Sequence, residues 1–141
     1  YGWCKDITID FLGKEVEIAL VVDGDVDSKF EEAQYNAYQE FMKNWPQLQY
    51  RILQPILDYY QLTRQELGYD IEFNASYPLV ETIEQLLGMI TLVGLIVSYG
   101  DIYEERDIGL TFDCTWDEEN GLGIRLLNEK VMEVGYQDVA M

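Results

Sequence analysis

Carboxylates are the side chains of this sequence with the widest chemical reach. Asp23, Asp25 and Asp27 stand at alternate positions in Asp23-Gly24-Asp25-Val26-Asp27-Ser28. Hard oxygen ligands at that spacing open a calcium loop. The match stops where such a loop is strictest. Ser28 holds the sixth position, which needs glycine, and Gln34 the twelfth, which needs a bidentate glutamate. An acidic strand-to-helix turn accounts for the same residues, because carboxylates suit the positive end of a helix dipole and Asp27 or Ser28 can cap it.

A second set is denser. Asp101, Glu104, Glu105, Asp107, Asp113, Asp117, Glu118 and Glu119 face only Arg106 between positions 101 and 119. That excess makes a directed negative field. A general acid would need a desolvated carboxyl with a raised pKa, whereas Asp117-Glu118-Glu119-Asn120-Gly121 reads as an exposed hairpin connection. The expectation is a partner-binding edge of Asp113, Asp117, Glu118, Glu119, Asp101, Glu104 and Glu105, with Trp116 as its anchor. The same acids also serve as a solvated turn that discourages edge-to-edge strand pairing. Trp116 shares the alternating face of the core residues, so burial is its second reading.

Composition narrows the chemistry further. The 141 residues carry 9 Lys and Arg against 27 Asp and Glu, a net charge of −18, and no histidine. Phosphate backbones and anionic lipid both demand a basic face, so neither nucleic acid nor a membrane surface is expected as partner. Without histidine there is no Ser-His-Asp or Cys-His nucleophile and no histidine-ligated metal. No catalytic, metal or cofactor-binding residue is assigned. Cys4 and Cys114 are too few for a disulfide framework, and Cys114 reads as a buried reduced thiol. The uncharged run from Gln85 to Gly100 falls short of a membrane span and is rich in Ile, Val and Thr, so it reads as a buried strand.

Periodicity supplies the elements that must hold these groups. Ile7, Ile9 and Phe11 alternate, then Val16, Ile18, Leu20 and Val22 do so after Leu12-Gly13, which predicts a hairpin with one buried face. From Ser28 the period lengthens: Phe30, Ala33, Ala37 and Phe41 share a helical face, with Ser28 and Glu31 as a capping box. Trp45-Pro46 is predicted to end that helix. A second helix carries Leu48, Ile52, Ile56, Tyr59 and Thr63, kinked near Arg51 to Gln54 ahead of Pro55. A short helix follows over Leu79 to Leu87, then a strand near Ile90 to Tyr99. Alternation returns in Ile108, Leu110, Phe112, Cys114 and Trp116, continues in Leu122, Ile124 and Leu126, and ends with a strand over Val131 to Tyr136. Tyr35, Tyr38, Tyr50, Tyr59, Tyr60 and Tyr69 are placed at the core boundary. The fold class is α+β: one domain over residues 1–141, a largely antiparallel sheet (N-terminal hairpin plus C-terminal meander) packed against two to three helices.

The run Phe112-Asp113-Cys114-Thr115-Trp116-Asp117-Glu118-Glu119-Asn120-Gly121-Leu122-Gly123-Ile124, with Glu133-Val134-Gly135-Tyr136-Gln137-Asp138, resembles the C-terminal signature of a bacterial domain-of-unknown-function family. Phe11 to Val16 and the helical Gln34, Ala37, Tyr38 and Phe41 are similar to the same pattern, so the resemblance covers most of the chain. Where that family commonly has histidine, this chain has Asn120. The resemblance implies a small acidic cytoplasmic protein related to the immunity-type proteins of toxin systems, and it carries over no catalytic residue. The leading expectation is therefore a non-catalytic acidic protein-binding module, immunity-like, whose partner is a basic protein such as a toxin. The alternatives are a divalent-cation site at Asp23, Asp25 and Asp27, or a carboxylate-based enzyme.

Overall fold

The structure, a computed structural model, describes residues 2–23, 32–69, 71–72, 74–97 and 107–140, with side chains of residues 2–3, 23, 32–37 and 107 left aside. Two strands, β1 (Gly2–Phe11) and β2 (Lys14–Asp23), form the N-terminal hairpin. Its two-residue turn needs positive φ at both positions, and Leu12 (56°) and Gly13 (86°) supply it. Helices α1 (Glu32–Arg51), α2 (Leu53–Glu66) and α3 (Ile83–Leu87) come next. Strands β3 (Ile90–Val97), β4 (Asp107–Cys114), β5 (Leu122–Leu127) and β6 (Lys130–Gly135) complete a six-stranded sheet in the order β1-β2-β3-β4-β5-β6. Every neighbouring pair is antiparallel except β2 and β3, which run parallel because the helices carry the chain back across one face. The architecture is α+β, an open and mostly antiparallel sheet with helices on one side.

Register shows why one face is apolar throughout. Leu20 pairs with Leu95, Leu95 with Leu110, Leu110 with Ile124 and Ile124 with Val134. Each strand thus contributes its alternate residues to the same side, and the bulge between Leu92 and Gly94 keeps β3 in phase at both ends. Against this face lie Phe41, Trp45, Leu48, Ile52, Ile56 and Tyr60, all buried, at helical spacing. Burial of each large apolar side chain contributes roughly 1.5–3 kcal/mol.

Two helix boundaries differ from the sequence reading. The first helix passes straight through Pro46 and ends at Arg51. Trp45 is held from three sides: its indole N–H donates to the Asp10 carbonyl, and its ring lies 5.2 Å from Phe41 and 6.0 Å from Phe11. Pro46 itself is exposed, so its ring faces solvent while the buried stripe on either side holds the helix together. The break comes at Ile52, as expected from Pro55. The third helix begins only at Ile83. Ahead of it, α2 side chains claim the carbonyls a longer helix would use: Tyr60 Oη donates to Pro78, Gln61 Nε2 to Val80 and Arg64 Nε to Tyr77. Thr82 then caps α3 in a reciprocal pair with Gln85.

The second face of the sheet has its own cover. A 3₁₀ turn at Gln137–Ala140 folds back over β4 and β5. It fits because the strands beneath lack side chains there. A Cβ at Gly109 would collide with Ala140, at Gly123 with the Tyr136 carbonyl, and at Gly135 would come 2.8 Å from Val139. Thr111 and Ile96 are buried on this side as a result.

Candidate functional site

The acidic turn between β4 and β5 is built by backbone and side-chain hydrogen bonds that fix its tip. The Asp117 carboxylate accepts from the Asn120 backbone N–H at 3.0 Å and from Asn120 Nδ2, and the Asp117 carbonyl accepts from Gly121 N at 2.9 Å. Gly121 takes φ of 65°, which closes the turn. Asp117 is thus occupied in shaping the loop, and Glu118 and Glu119 stand exposed at its tip. Two lashings hold the loop to the body. Thr115 N donates to the Met89 carbonyl at 2.9 Å, and Gln137 donates through its backbone to Asn120 and through Nε2 to the Phe112 carbonyl at 2.8 Å.

Of the eight residues expected at the partner-binding edge, Asp113, Glu118 and Glu119 are exposed acids, and Asp113 and Glu118 line one cavity. Trp116 belongs elsewhere: it is 6% exposed and packs against Tyr60, so as a surface anchor it is corrected to a core residue. The reason is the loop itself, which continues the inward side of β4 past Cys114. Asp101, Glu104 and Glu105 lie outside the described residues, as do Asp25, Asp27, Ser28 and the side chain of Asp23. Among the described residues no three Cys, Asp or Glu side chains converge as a metal-holding group.

Cys114 lies buried beneath the loop, and Cys4 is exposed on β1; both are free thiols. Cys114 Sγ donates to the Asp117 carbonyl at 3.4 Å. Burial pushes this thiol up to about 11, and the Asp117 and Asp113 carboxylates add to the rise. Burial also raises the Tyr59, Tyr60 and Tyr77 phenols, Tyr60 to about 12; the Asp117 charge contributes at Tyr59 and Tyr77, as does Tyr136. Buried Tyr60 and the partly buried Tyr59 and Tyr77 therefore lie near the loop on its helix side, and Tyr136 is 52% exposed. Of the helix tyrosines expected at the core boundary, Tyr38, Tyr59 and Tyr69 are partly buried, Tyr60 is fully inside and Tyr50 is exposed.

The loop also borders a cleft that sequence reasoning missed. Asp113, Glu118, Thr115 and Cys114 meet Gly88, Met89 and Thr91 around a cavity of about 320 Å³. Beside it, across Gly88 and Thr91, a second cavity of about 330 Å³ is lined by Phe11, Leu12, Lys14, Val16, Leu87, Ile90 and Leu92. The walls combine residues 11–16, 87–92 and 113–118, segments well separated in the sequence, so no local pattern marks them.

A family model described as Domain of unknown function (DUF6985) matches residues 1–141. The chain belongs to the DUF6985 family. No curated protein and no solved structure matches it. The family match spans both the hairpin and the acidic turn of this DUF6985 domain, so fold and candidate surface belong to one unit. No described helix is long and apolar enough to cross a membrane.

Proposed function

We propose that this DUF6985 domain is a non-catalytic acidic protein-binding module, an immunity-like inhibitor that covers a basic bacterial toxin in the cytoplasm. The observation that carries the reading is the exposure of Glu118 and Glu119 on a loop fixed by Asp117, Asn120 and Gln137, beside Asp113, which is exposed near the end of β4. A loop backbone fixed before the encounter need not be ordered on binding, which leaves only the acidic side chains to lose entropy. Set in a chain of net charge −18, they steer a basic partner inward, and fields of this kind raise association rates by roughly 10–10³-fold. The bacterial, cytoplasmic and inhibitory parts of the reading rest on the sequence resemblance.

The test is retention of a partner from extracts of the source organism at low and at high salt, followed by its identification. A basic protein is expected, associating about tenfold more slowly once salt screens the field. The triple variant Asp113→Asn, Glu118→Gln, Glu119→Gln should slow association similarly with its melting temperature unchanged. Equal retention by the variant, or no basic protein retained at low salt, sinks the reading.

A further inference from the structure

Gly88 differs from the other glycines around the sheet. Gly13, Gly68 and Gly121 have positive φ, and Gly94, Gly109, Gly123 and Gly135 lie against neighbouring atoms that a Cβ would strike. Gly88 has φ of −74°, open to any residue, and a Cβ there would meet only the Gln85 carbonyl oxygen at 3.8 Å. Neither the backbone nor the packing of the chain requires a missing side chain at this position. The open space it borders is that of the two cavities, since Gly88 and Thr91 line both.

The chambers on either side differ in chemistry. One is lined by the acidic residues Asp113 and Glu118 with Thr115; the Asp113 carboxylate also accepts from Gln137 Nε2 at 3.5 Å. The other is walled by Phe11, Val16, Leu87 and Leu92, with Lys14 at its border. We propose that the two chambers form one bipartite groove for an extended peptide segment of a partner protein, seating an Arg or Lys side chain between Asp113 and Glu118 and an apolar side chain in the neighbouring chamber, with the peptide backbone crossing over Gly88. This rests on the reading of the domain as an acidic protein-binding module and names the kind of segment it takes.

Three physical points support the occupant. Opposite charge selects a cation for the carboxylate chamber, and guanidinium has the planar donors for two carboxylates. Apolar area leaves water in the second chamber, the usual source of affinity in a mostly apolar pocket. Lys14 repels a second basic residue on that side, so the groove sets the direction of the segment as well as its composition. A backbone can approach closely only where no Cβ stands in its way, which Gly88 provides.

The probes are synthetic capped peptides with one Arg and one Leu separated by one, two or three alanines, titrated into the isotope-labelled domain. At least one spacing should shift the backbone amides of Gly88, Thr91 and Thr115 together with that of Leu12, and the shifts should saturate. Gly88→Leu should weaken that peptide by about tenfold or more at an unchanged melting temperature. Exchanging Arg for Gln, or Leu for Ser, in the peptide should weaken it comparably, and these arms hold even where the glycine variant misfolds. The groove is overturned where no spacing gives saturating shifts on both sides of Gly88, or where the Ser peptide binds as well as the Leu peptide. In either case capture of a basic protein would leave the acidic-module reading standing. Peptide binding without any such capture would remove that reading and keep the groove.

Discussion

The ring of Tyr60, on α2, meets the indole of Trp116 edge-on, with 4.7 Å between centroids and 61° between planes. This contact ties the helix layer to the acidic loop, because Trp116 lies one residue ahead of the carboxylate that shapes the turn. The Tyr60 hydroxyl in turn holds the Pro78 carbonyl. One aromatic pair therefore couples α2, the segment before α3 and the β4–β5 connection.

Trp116→Ala should destabilise the domain by about 3–5 kcal/mol, the range for emptying a large aromatic site. Urea unfolding measures it. A loss below about 1 kcal/mol would mean that the indole is not packed as described.

The loop acids should separate by role. Asp117→Ala removes the acceptor for Asn120 and should lose about 1–3 kcal/mol, as for hydrogen bonds to a charged group. Glu118→Gln and Glu119→Gln touch no such bond and should leave the melting temperature unchanged or slightly higher, since they relieve like-charge repulsion. Thermal melts of the three variants decide this.

Glycine variants should divide along the geometry of the second face. Gly109→Ala drives a methyl group into Ala140 and should lift the C-terminal turn, at about 1–3 kcal/mol. Hydrogen exchange at residues 137–140 would quicken. Gly88→Ala should be neutral or mildly stabilising, because its φ suits alanine.

Thiol chemistry should be one-sided. In the native protein at neutral pH, a thiol reagent should label Cys4 and leave Cys114 untouched; in denaturant both react. The raised Cys114 value also sets an alkaline trend. Between about 9 and about 11 the unfolded chain has released the proton that the native state keeps, so stability falls as pH rises through this window. The Tyr60 phenol extends the same trend from about 10 to about 12. Replacing Cys114 with Ala should flatten the first part of the decline.

The sequence made the strands and their apolar face legible, since Ile18, Leu20 and Val22 alternate as openly as Leu122, Ile124 and Leu126. It placed the helical stripe too, although the proline rule misjudged Pro46. That rule weighs one lost hydrogen bond and a steric bias, and it has no knowledge of a neighbouring indole anchored by Asp10 and two phenylalanine rings. The inward side of β4 extended to Trp116, so burial of this residue was readable from alternation, while its aromatic character suggested the opposite. The two cavities were not readable. Leu12 and Leu87 become neighbours only after the chain has crossed the sheet, and what marks Gly88 is an absence of contact that a letter code does not display.

The single parallel seam has a consequence for how the molecule assembles. The β1–β2 hairpin closes over two residues and β4 to β6 form a continuous meander, so each half can pair early from local contacts. Joining Ala19–Val22 to Gly94–Val97 closes a loop that contains all three helices, and its entropy must be met before the contacts repay it. We expect folding speed to be decided there: Leu95→Ala should slow refolding in stopped-flow measurements, while Val134→Ala at the far strand should mainly hasten unfolding. The reverse pattern would place the nucleus in the meander. On the expected pattern, the domain is kinetically two small sheets that meet once, along four residue pairs.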